Sequence, residues 1–329
     1  MKTQILPAST PNECEIAVRC AVEHLERGEA IALPTETVYG LAADALNVDA
    51  ALKIFEAKER PRFDPLIVHL PDLGWLEKLT RIRSTEETLV AALIERFWPG
   101  PLTLVLPRRP IAPDLVTAGL ETVAVRLSAD PVFKSVIHAF GRPLAAPSAN
   151  RFGRISPTRA ADVAAELDGR IPLIVDGGAT NHGLESTIVA IREEAMEILR
   201  PGPITADSLG EFAEVRMAAV RERPTAPGQL ASHYAPRTPL VLTPSLTKFQ
   251  LPPGRIGALS FSTGPSGFAE LRTLSRSGDL REAAAKLFRY LRELDDAKLD
   301  LIVAEEVPDS GLGTAIMDRL RRAATAGQL

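Results

Sequence analysis

The sequence predicts an α/β protein in two parts: a twisted mixed sheet with helices packed on it, then a smaller doubly wound α/β domain. Three observations carry that reading. Short apolar runs of strand length alternate with capped, helix-patterned segments through about residue 210, and in places strands follow one another with no helix between them. The pattern then loosens into a stretch rich in Pro, Arg, Ala and Glu. From Leu240, strand and helix alternate again over about ninety residues. The expected domains are 1–210, a linker at 211–238, and 239–329.

The elements follow in order. Thr10-Pro11-Asn12-Glu13 is a capping box with proline at the first helical position, and Gly28 is its natural stop. Ala30–Leu33 reads as a buried strand. It leads into the polar loop Pro34-Thr35-Glu36-Thr37-Val38-Tyr39-Gly40-Leu41-Ala42, which is expected to precede a helix. Asn47 caps a helix through Ile54 and Phe55 that must end by Arg60, because Pro61 follows. Leu66–Leu70 is a strand, and Ser84 with Glu87 forms a second capping box for a helix that stops before Trp98-Pro99-Gly100-Pro101. Strands are expected at Leu102–Leu106, Val123–Leu127, Leu173–Val175, Thr187–Ile191 and Glu197–Leu199, with helices near Pro131–Phe140, after Ser156-Pro157-Thr158 and after Thr205. The second domain reads as strands Leu240–Leu242, Ile256–Phe261 and Leu301–Ala304, with helices Asp279–Ala297 and Thr314–Ala324. No internal repeat is evident.

Totals set the outer limits. A chain of 329 residues is long enough for two cores, and 45% hydrophobic with 24% charged residues is a globular composition. A formal net charge of −4 argues against a generally basic nucleic-acid coat, though not against a local basic pocket. Cys14 and Cys20 have no CxxC partner and no histidine at ligand spacing, so neither zinc nor a disulfide framework is supported and core packing is the expected role. No apolar stretch reaches membrane-spanning length, and no signal-peptide core follows Met1. The expectation is a cytoplasmic protein without membrane association.

Chemistry concentrates at strand ends, where open α/β sheets bind ligands. Lys58 and Arg60 precede a proline turn and offer a cationic clamp for phosphate oxygens, or else two solvated charges favouring a helix C-terminus. Arg126 ends an apolar strand and Arg200 precedes Pro201-Gly202-Pro203; arginine in such places calls for an anionic partner. His69 interrupts an apolar run, as a core histidine or a ligand-orienting imidazole. Pro147-Ser148-Ala149-Asn150 would let a ligand approach the backbone, and otherwise is an ordinary turn. Ser156-Pro157-Thr158 could cap the next helix or aim hydroxyls at a phosphate. The island Pro227–Pro236 holds a His233-Tyr234 pair that a mere spacer does not need. There is no G-x-x-x-x-G-K-[ST], G-x-G-x-x-G or G-x-S-x-G pattern and no metal-ligand cluster, so any phosphate would be held by scattered side chains.

Taken together, Pro34–Ala42, Lys58–Pro61, Pro65–His69, Trp98–Thr103, Thr117–Leu120, Val123–Arg126, Ala145–Asn150, Asp176-Gly177-Gly178, Glu185–Val189 and Leu199–Pro203 resemble the YrdC-type threonylcarbamoyl-AMP synthase family. His233–Pro236 and Gly311–Leu320 resemble its long form with a C-terminal Rossmann-like domain, so the likeness spans nearly the whole chain. The resemblance implies an L-threonylcarbamoyladenylate synthase: L-threonine, bicarbonate or CO2, and ATP give threonylcarbamoyl-AMP and pyrophosphate, with Mg2+. The product would feed a downstream tRNA-modifying transferase complex, and weak tRNA binding by this chain is a further expectation. By matching positions, Thr37, His69, Arg126, Ala146 and Ser186 would hold threonine. Arg60, Asp64, Thr122, Ser148, Ser156, Arg200 and Tyr234 would hold ATP, with Lys58 and Arg60 the catalytic cations and Tyr234 reaching back from the linker. The family usually has asparagine where this chain has Asp64, which places negative charge near the phosphates; Asp64→Asn is expected to keep activity and to shift magnesium dependence.

Two other readings are open. A YrdC-like fold could be a non-catalytic double-stranded RNA or tRNA-binding module, but Thr37, His69 and Ser186 have no purpose on an RNA surface. A carbamoyl transferase of the hydrogenase-maturation type would carry cysteine-rich zinc motifs, which two cysteines cannot supply.

Overall fold

The computed structural model describes residues 2–192, 195–219, 226 and 233–325. The chain forms two compact units. The first comprises Met1–Phe152, Pro157–Thr180 and Glu185–Gln229; the second comprises Gly153–Ser156, Asn181–Leu184 and Leu230–Leu329.

The first unit runs β1 (Gln4–Pro7), α1 (Pro11–Glu26), β2 (Ile31–Leu33), β3 (Gly40–Asp44), α2 (Val48–Lys58), β4 (Ile67–His69), α3 (Gly74–Leu79), α4 (Glu87–Phe97), β5 (Leu102–Pro107), α5 (Asp114–Thr117) and β6 (Thr122–Arg126). It continues with α6 (Pro131–Phe140), β7 (Leu144–Ala145), α7 (Ala160–Leu167), β8 (Leu173–Asp176), β9 (Thr187–Arg192), β10 (Ala195–Arg200), α8 (Ala206–Gly210) and β11 (Glu214–Met217). The strands make one mixed sheet in the order β1-β8-β2-β3-β7-β4-β6-β5-β9-β10-β11.

Local signals set many boundaries. The Thr10 capping box is closed on both sides, and α1 ends just before Gly28, whose φ of +67° suits glycine. Asn47 accepts from the amides of Asp49 and Ala50 to start α2. Asp130 caps α6, with Pro131 at its first position.

Three expectations give way, two of them to strand pairing. The polar loop after β2 does not lead into a helix; Gly40–Asp44 folds back as β3, antiparallel to β2. Its small residues carry little intrinsic preference, so pairing with β2 and β7 decides the matter. Ser84 does not cap α4, which starts at Glu87 behind Glu86 with no side-chain cap. Glu86 is buried and accepts instead from Arg83 Nη1 at 3.3 Å. Within the stretch that composition reads as linker, Glu214–Met217 adds β11 in parallel to β10. The island residues Pro227–Ser232 lie outside the described residues.

Two apolar layers cover the sheet. One face buries Ala32, Leu41, Val68, Leu104, Val125 and Val189 with side chains of α2, α4 and α7. On the other face, α1 and α6 cover Ile31, Leu33, Leu144 and Val175, and Cys14 and Cys20 are half-buried, unpaired thiols at its margin. Farther along that second face lies a patch of Ile67, Val105, Ala124, Ile188 and Ala190, whose cluster among the described residues contains no helical side chain. Ala226 belongs to the same cluster and Ala218 packs against it, so residues of the 211–238 stretch and not a helix meet this strip, which positions the candidate site.

The second unit carries β12 (Leu240–Thr243), β13 (Ile256–Ser260), β14 (Glu270–Thr273), α9 (Leu280–Asp296), β15 (Leu301–Glu305) and α10 (Leu312–Thr325). Its sheet is all parallel, ordered β12-β15-β13-β14. Tyr234 is buried here, stacked on Phe288 at 5.5 Å, with the Arg319 guanidinium 5.0 Å from its ring centre. Ser156 is also buried in this unit.

Candidate active site

Register alone brings the polar residues beside this strip together. His69 pairs with Arg126 across parallel β4 and β6. In antiparallel β5, Thr103 comes one step after the Leu104–Val125 pair, opposite Arg126. Thr103 pairs with Ile188 of β9, and Ser186 lies two residues before Ile188, so it shares that face. The Thr103 and Ser186 hydroxyls meet at 2.8 Å. An imidazole, a guanidinium and two hydroxyls thus stand in one row at the carboxyl ends of β4 and β6.

The β2–β3 loop closes this row from the side. Arg126 donates from Nη2 to Glu36 Oε1 at 2.6 Å, from Nη1 to Thr37 Oγ1 at 3.1 Å, and from Nε to Gly100 O at 3.1 Å. Three of its five donors are used, leaving one N–H on each terminal nitrogen for a ligand carboxylate. Ser128 Oγ donates to the other Glu36 oxygen at 2.5 Å. Burial alone would raise the Glu36 carboxyl, but Arg126 and Ser128 overturn that and hold it at about 2. Thr35 Oγ1 lies 2.8 Å from Thr37 Oγ1 and accepts from the amides of Thr37 and Val38, which makes the loop a rigid turn. Tyr39 points elsewhere: its hydroxyl donates to Gly178 O at 2.7 Å and anchors the loop to the turn after β8.

His69 is fully enclosed, its ring 4.6 Å from that of Phe133, and its Nδ1 has no protein partner. Burial and the neighbouring Arg126 push it down to about 3 against the pull of Glu36, so the imidazole is neutral near pH 7. It can orient a ligand by hydrogen bonding but is a weak base there.

A second group of charges adjoins the row. Arg200, at the end of β10, donates from Nε and Nη2 to Ser186 O at 3.1 and 3.0 Å, and from Nη2 to Ser186 Oγ at 3.1 Å. Arg60 donates to Pro65 O at 2.8 Å and Asp64 O at 3.3 Å, and pairs with Asp64 Oδ2 at 2.9 Å. The Asp64 carboxylate, expected beside the phosphates, is thus paired with a guanidinium. Lys58 is 1% exposed, so it is not a solvated helix-end charge. Its ammonium donates to Ser148 O and Asn150 O, both at 2.5 Å, and fixes the turn that carries Ser148. Burial, then Arg60, drive its pKa well down, opposed by Asp64, Glu166 and Glu185. Ala146 is buried in β7's continuation, its amide donating to Ile67 O at 2.9 Å. Thr122 opens β6 on the same face as Arg126, four residues or about 13 Å from it. Only Ala124, itself buried, stands between them on that face. Ser156 and Tyr234 belong to the second unit.

Sequence reasoning passed over Glu36, Ser128 and Thr103 as site residues. Glu36 was visible as the one carboxylate in the opening loop, but its partner is ninety positions away. Among the described residues no group of three His, Cys, Asp or Glu side chains could hold a metal ion, and no helix is long and apolar enough to cross a membrane.

Buried guanidinium groups, hydroxyls and a neutral imidazole gathered at one end of a mixed sheet mark a YrdC-type α/β enzyme. The Sua5–YciO–YrdC family model, described as telomere recombination, matches residues 23–202. The model for the threonylcarbamoyl-AMP synthase C-terminal domain matches residues 193–325. The chain belongs to the threonylcarbamoyl-AMP synthase family, in its two-domain form. It is 41% identical to the threonylcarbamoyl-AMP synthase of Bacillus subtilis over 95% of this chain and 94% of that protein, and 38% identical to that of Pyrococcus abyssi over 94% of each. The crystal structure of P. abyssi Sua5 complexed with L-threonine superimposes with a TM-score of 0.91 at 37% identity, covering 99% of this chain and 98% of that one. Escherichia coli YciO, at 19% identity and a TM-score of 0.52 over 61% of this chain, shares the fold alone.

Proposed function

We propose that this chain is an L-threonylcarbamoyladenylate synthase, condensing L-threonine, bicarbonate or CO2, and ATP into threonylcarbamoyl-AMP and pyrophosphate. The observation that carries the assignment is the row His69, Arg126, Thr103 and Ser186 beside Thr37. It sets hydroxyls and an imidazole beside a guanidinium that offers two unspent donors to a carboxylate. In this reading threonine lies on that row and against Ala146. The triphosphate lies toward Arg60 and Arg200, with Asp64 and the Ser148 turn beside it, and the adenosine runs toward Thr122.

The chemistry asks for alignment and charge stabilisation more than for covalent help. The threonine amine, once carboxylated, supplies a carbamate oxygen that bonds to the α-phosphorus as the bond to pyrophosphate breaks. Arg60 and Arg200 face the charge that develops on the phosphate oxygens, and their bonds to main-chain carbonyls hold them in place beforehand. Arg200 also grips Ser186, so the two substrates share one rigid contact. Lys58 acts through the Ser148–Asn150 turn and not by touching phosphate. Magnesium, when bound with the triphosphate, would supply charge neutralisation of the phosphate oxygens beside Arg60 and Arg200. The product would pass to a tRNA-modifying transferase in the cytoplasm.

Pyrophosphate release measured with each substrate omitted in turn tests the proposal. Release should require ATP, threonine and bicarbonate together and should vanish in Arg126→Ala. Equal release without threonine would sink it.

A further inference from the structure

We propose that Asp64 is a built-in anion that holds Arg60 before nucleotide arrives, and that ATP binding carries a proton onto its carboxylate. The inference rests on the reading of Arg60 as a triphosphate ligand and adds how this chain sets its affinity for that ligand.

The geometry of the carboxylate is unusual. Asp64 is 1% exposed, and its Oδ2 sits 2.9 Å from Arg60 Nη2. That contact is an ion pair without hydrogen-bond alignment, because the guanidinium aims its aligned donors at the carbonyls of Asp64 and Pro65. Neither carboxylate oxygen receives a hydrogen bond. A buried ionised carboxylate ordinarily accepts several.

Only charge therefore keeps it ionised. Lys58 and Arg60 face it from the end of α2, and Arg200 faces it from the end of β10. All three cations spend donors on main-chain carbonyls. Glu166 of α7 and Glu185 before β9 in turn act on Lys58. Burial already raises the Asp64 carboxyl, with the three cations opposing.

A triphosphate that approaches Arg60 brings like charge to within a few ångströms of this carboxylate. Two anions at such range cannot both stay ionised in a dry site. Taking a proton from solvent resolves the conflict and converts an orphaned acceptor into an O–H donor for a phosphate oxygen. The uptake falls between the carboxyl's already raised value in the free protein and the higher one in the complex, so affinity tightens as pH falls through that window. Asp64 is thus an affinity-setting residue that acts on the nucleotide through Arg60.

Isothermal titration with α,β-methylene ATP and magnesium, run at pH 7 in two buffers of different ionisation enthalpy, tests this. The wild type should take up more protons per nucleotide than Asp64→Asn. The isosteric, uncharged variant should bind about tenfold more tightly, the equivalent of a one-unit change in pKa. Proton uptake by the nucleotide's own terminal phosphate is common to both proteins and cancels in the difference. Equal uptake in the two, or weaker binding by Asp64→Asn, overturns the inference. Should that variant fail to fold, Asp64→Ser and the pH dependence of wild-type affinity give the same comparison. Arg60→Ala separates the two levels: undiminished binding there refutes the triphosphate site itself, whereas lost binding with an unchanged Asp64→Asn refutes only the role of Asp64.

Discussion

Replacing Glu36 with glutamine should destabilise the first unit by about 3 kcal/mol at pH 7, and the loss should fade in acid. Glu36 lies against Arg126 at 2.6 Å and Ser128 at 2.5 Å, with side-chain exposures of only 6% and 4% for the ion pair. Its carboxyl falls from an ordinary 4.5 to about 2, with burial opposing and Arg126 prevailing. At about 1.4 kcal/mol per pKa unit that fall corresponds to roughly 3 kcal/mol. The figure agrees with the roughly 3–5 kcal/mol lost when one partner of a buried pair is removed. Glutamine keeps the shape but leaves Arg126 without a countercharge.

The sign follows from a lowered folded-state pKa. The carboxylate's contribution is complete above 4.5 and disappears as pH falls through about 2. Both tryptophans, Trp75 and Trp98, belong to the first unit, so their fluorescence during urea unfolding follows that unit. The wild-type and Glu36→Gln midpoints should be far apart at pH 7 and converge between pH 4.5 and 2. A difference below about 1 kcal/mol at pH 7, or one that does not change with pH, refutes the coupling.

Two further outcomes can be measured directly. Arg126→Lys should raise the KM for threonine about tenfold or more in the pyrophosphate assay while changing the KM for ATP little, because a point charge cannot serve Glu36, Thr37, Gly100 and a carboxylate together. An unchanged threonine KM would remove Arg126 from the carboxylate. Gly202→Ala should cost about 1–3 kcal/mol and abolish turnover, since its Cβ would meet Thr187 N at 2.5 Å and Glu185 O at 2.6 Å and push the Ser186 turn out of place. Normal melting together with normal activity would show that the turn gives way cheaply.

Much of the fold was legible because short-range signals carried it. Thr10, Asn47, Asp130 and Thr205 each cap the helix that follows, through bonds spanning two or three residues. What escaped depends on distant partners. β1 is largely exposed, and β14 is half-buried at every position; each is a strand because of its parallel partner, β8 and β13 respectively. β3 is Gly-Leu-Ala-Ala-Asp, a composition that favours no state until β2 and β7 flank it. In the site, Arg126 and Arg200 were visible because an arginine closing an apolar strand needs an acceptor. Glu36, Ser128 and Thr103 were not, because a carboxylate or hydroxyl in a loop is ordinary until its partner is known.

The same contrast explains how this pocket handles anions without a glycine-rich phosphate loop. Each of its four cations donates to the main chain of a loop: Arg60 to residues 64 and 65, Lys58 to 148 and 150, Arg126 to 100, and Arg200 to 186. A Walker loop presents backbone N–H groups to phosphate, whereas here backbone carbonyls orient the cations, of which Arg60 and Arg200 are the two proposed to meet it. The loops are thereby ordered by the candidate binding groups themselves, so the site is arranged without a ligand. Removing one cation then disorders a loop as well as deleting a charge. The conservative Arg→Lys exchange keeps the charge and tests the donors alone, and at Arg126 the β2–β3 loop is also held by the Thr35–Thr37 and Ser128–Glu36 bonds.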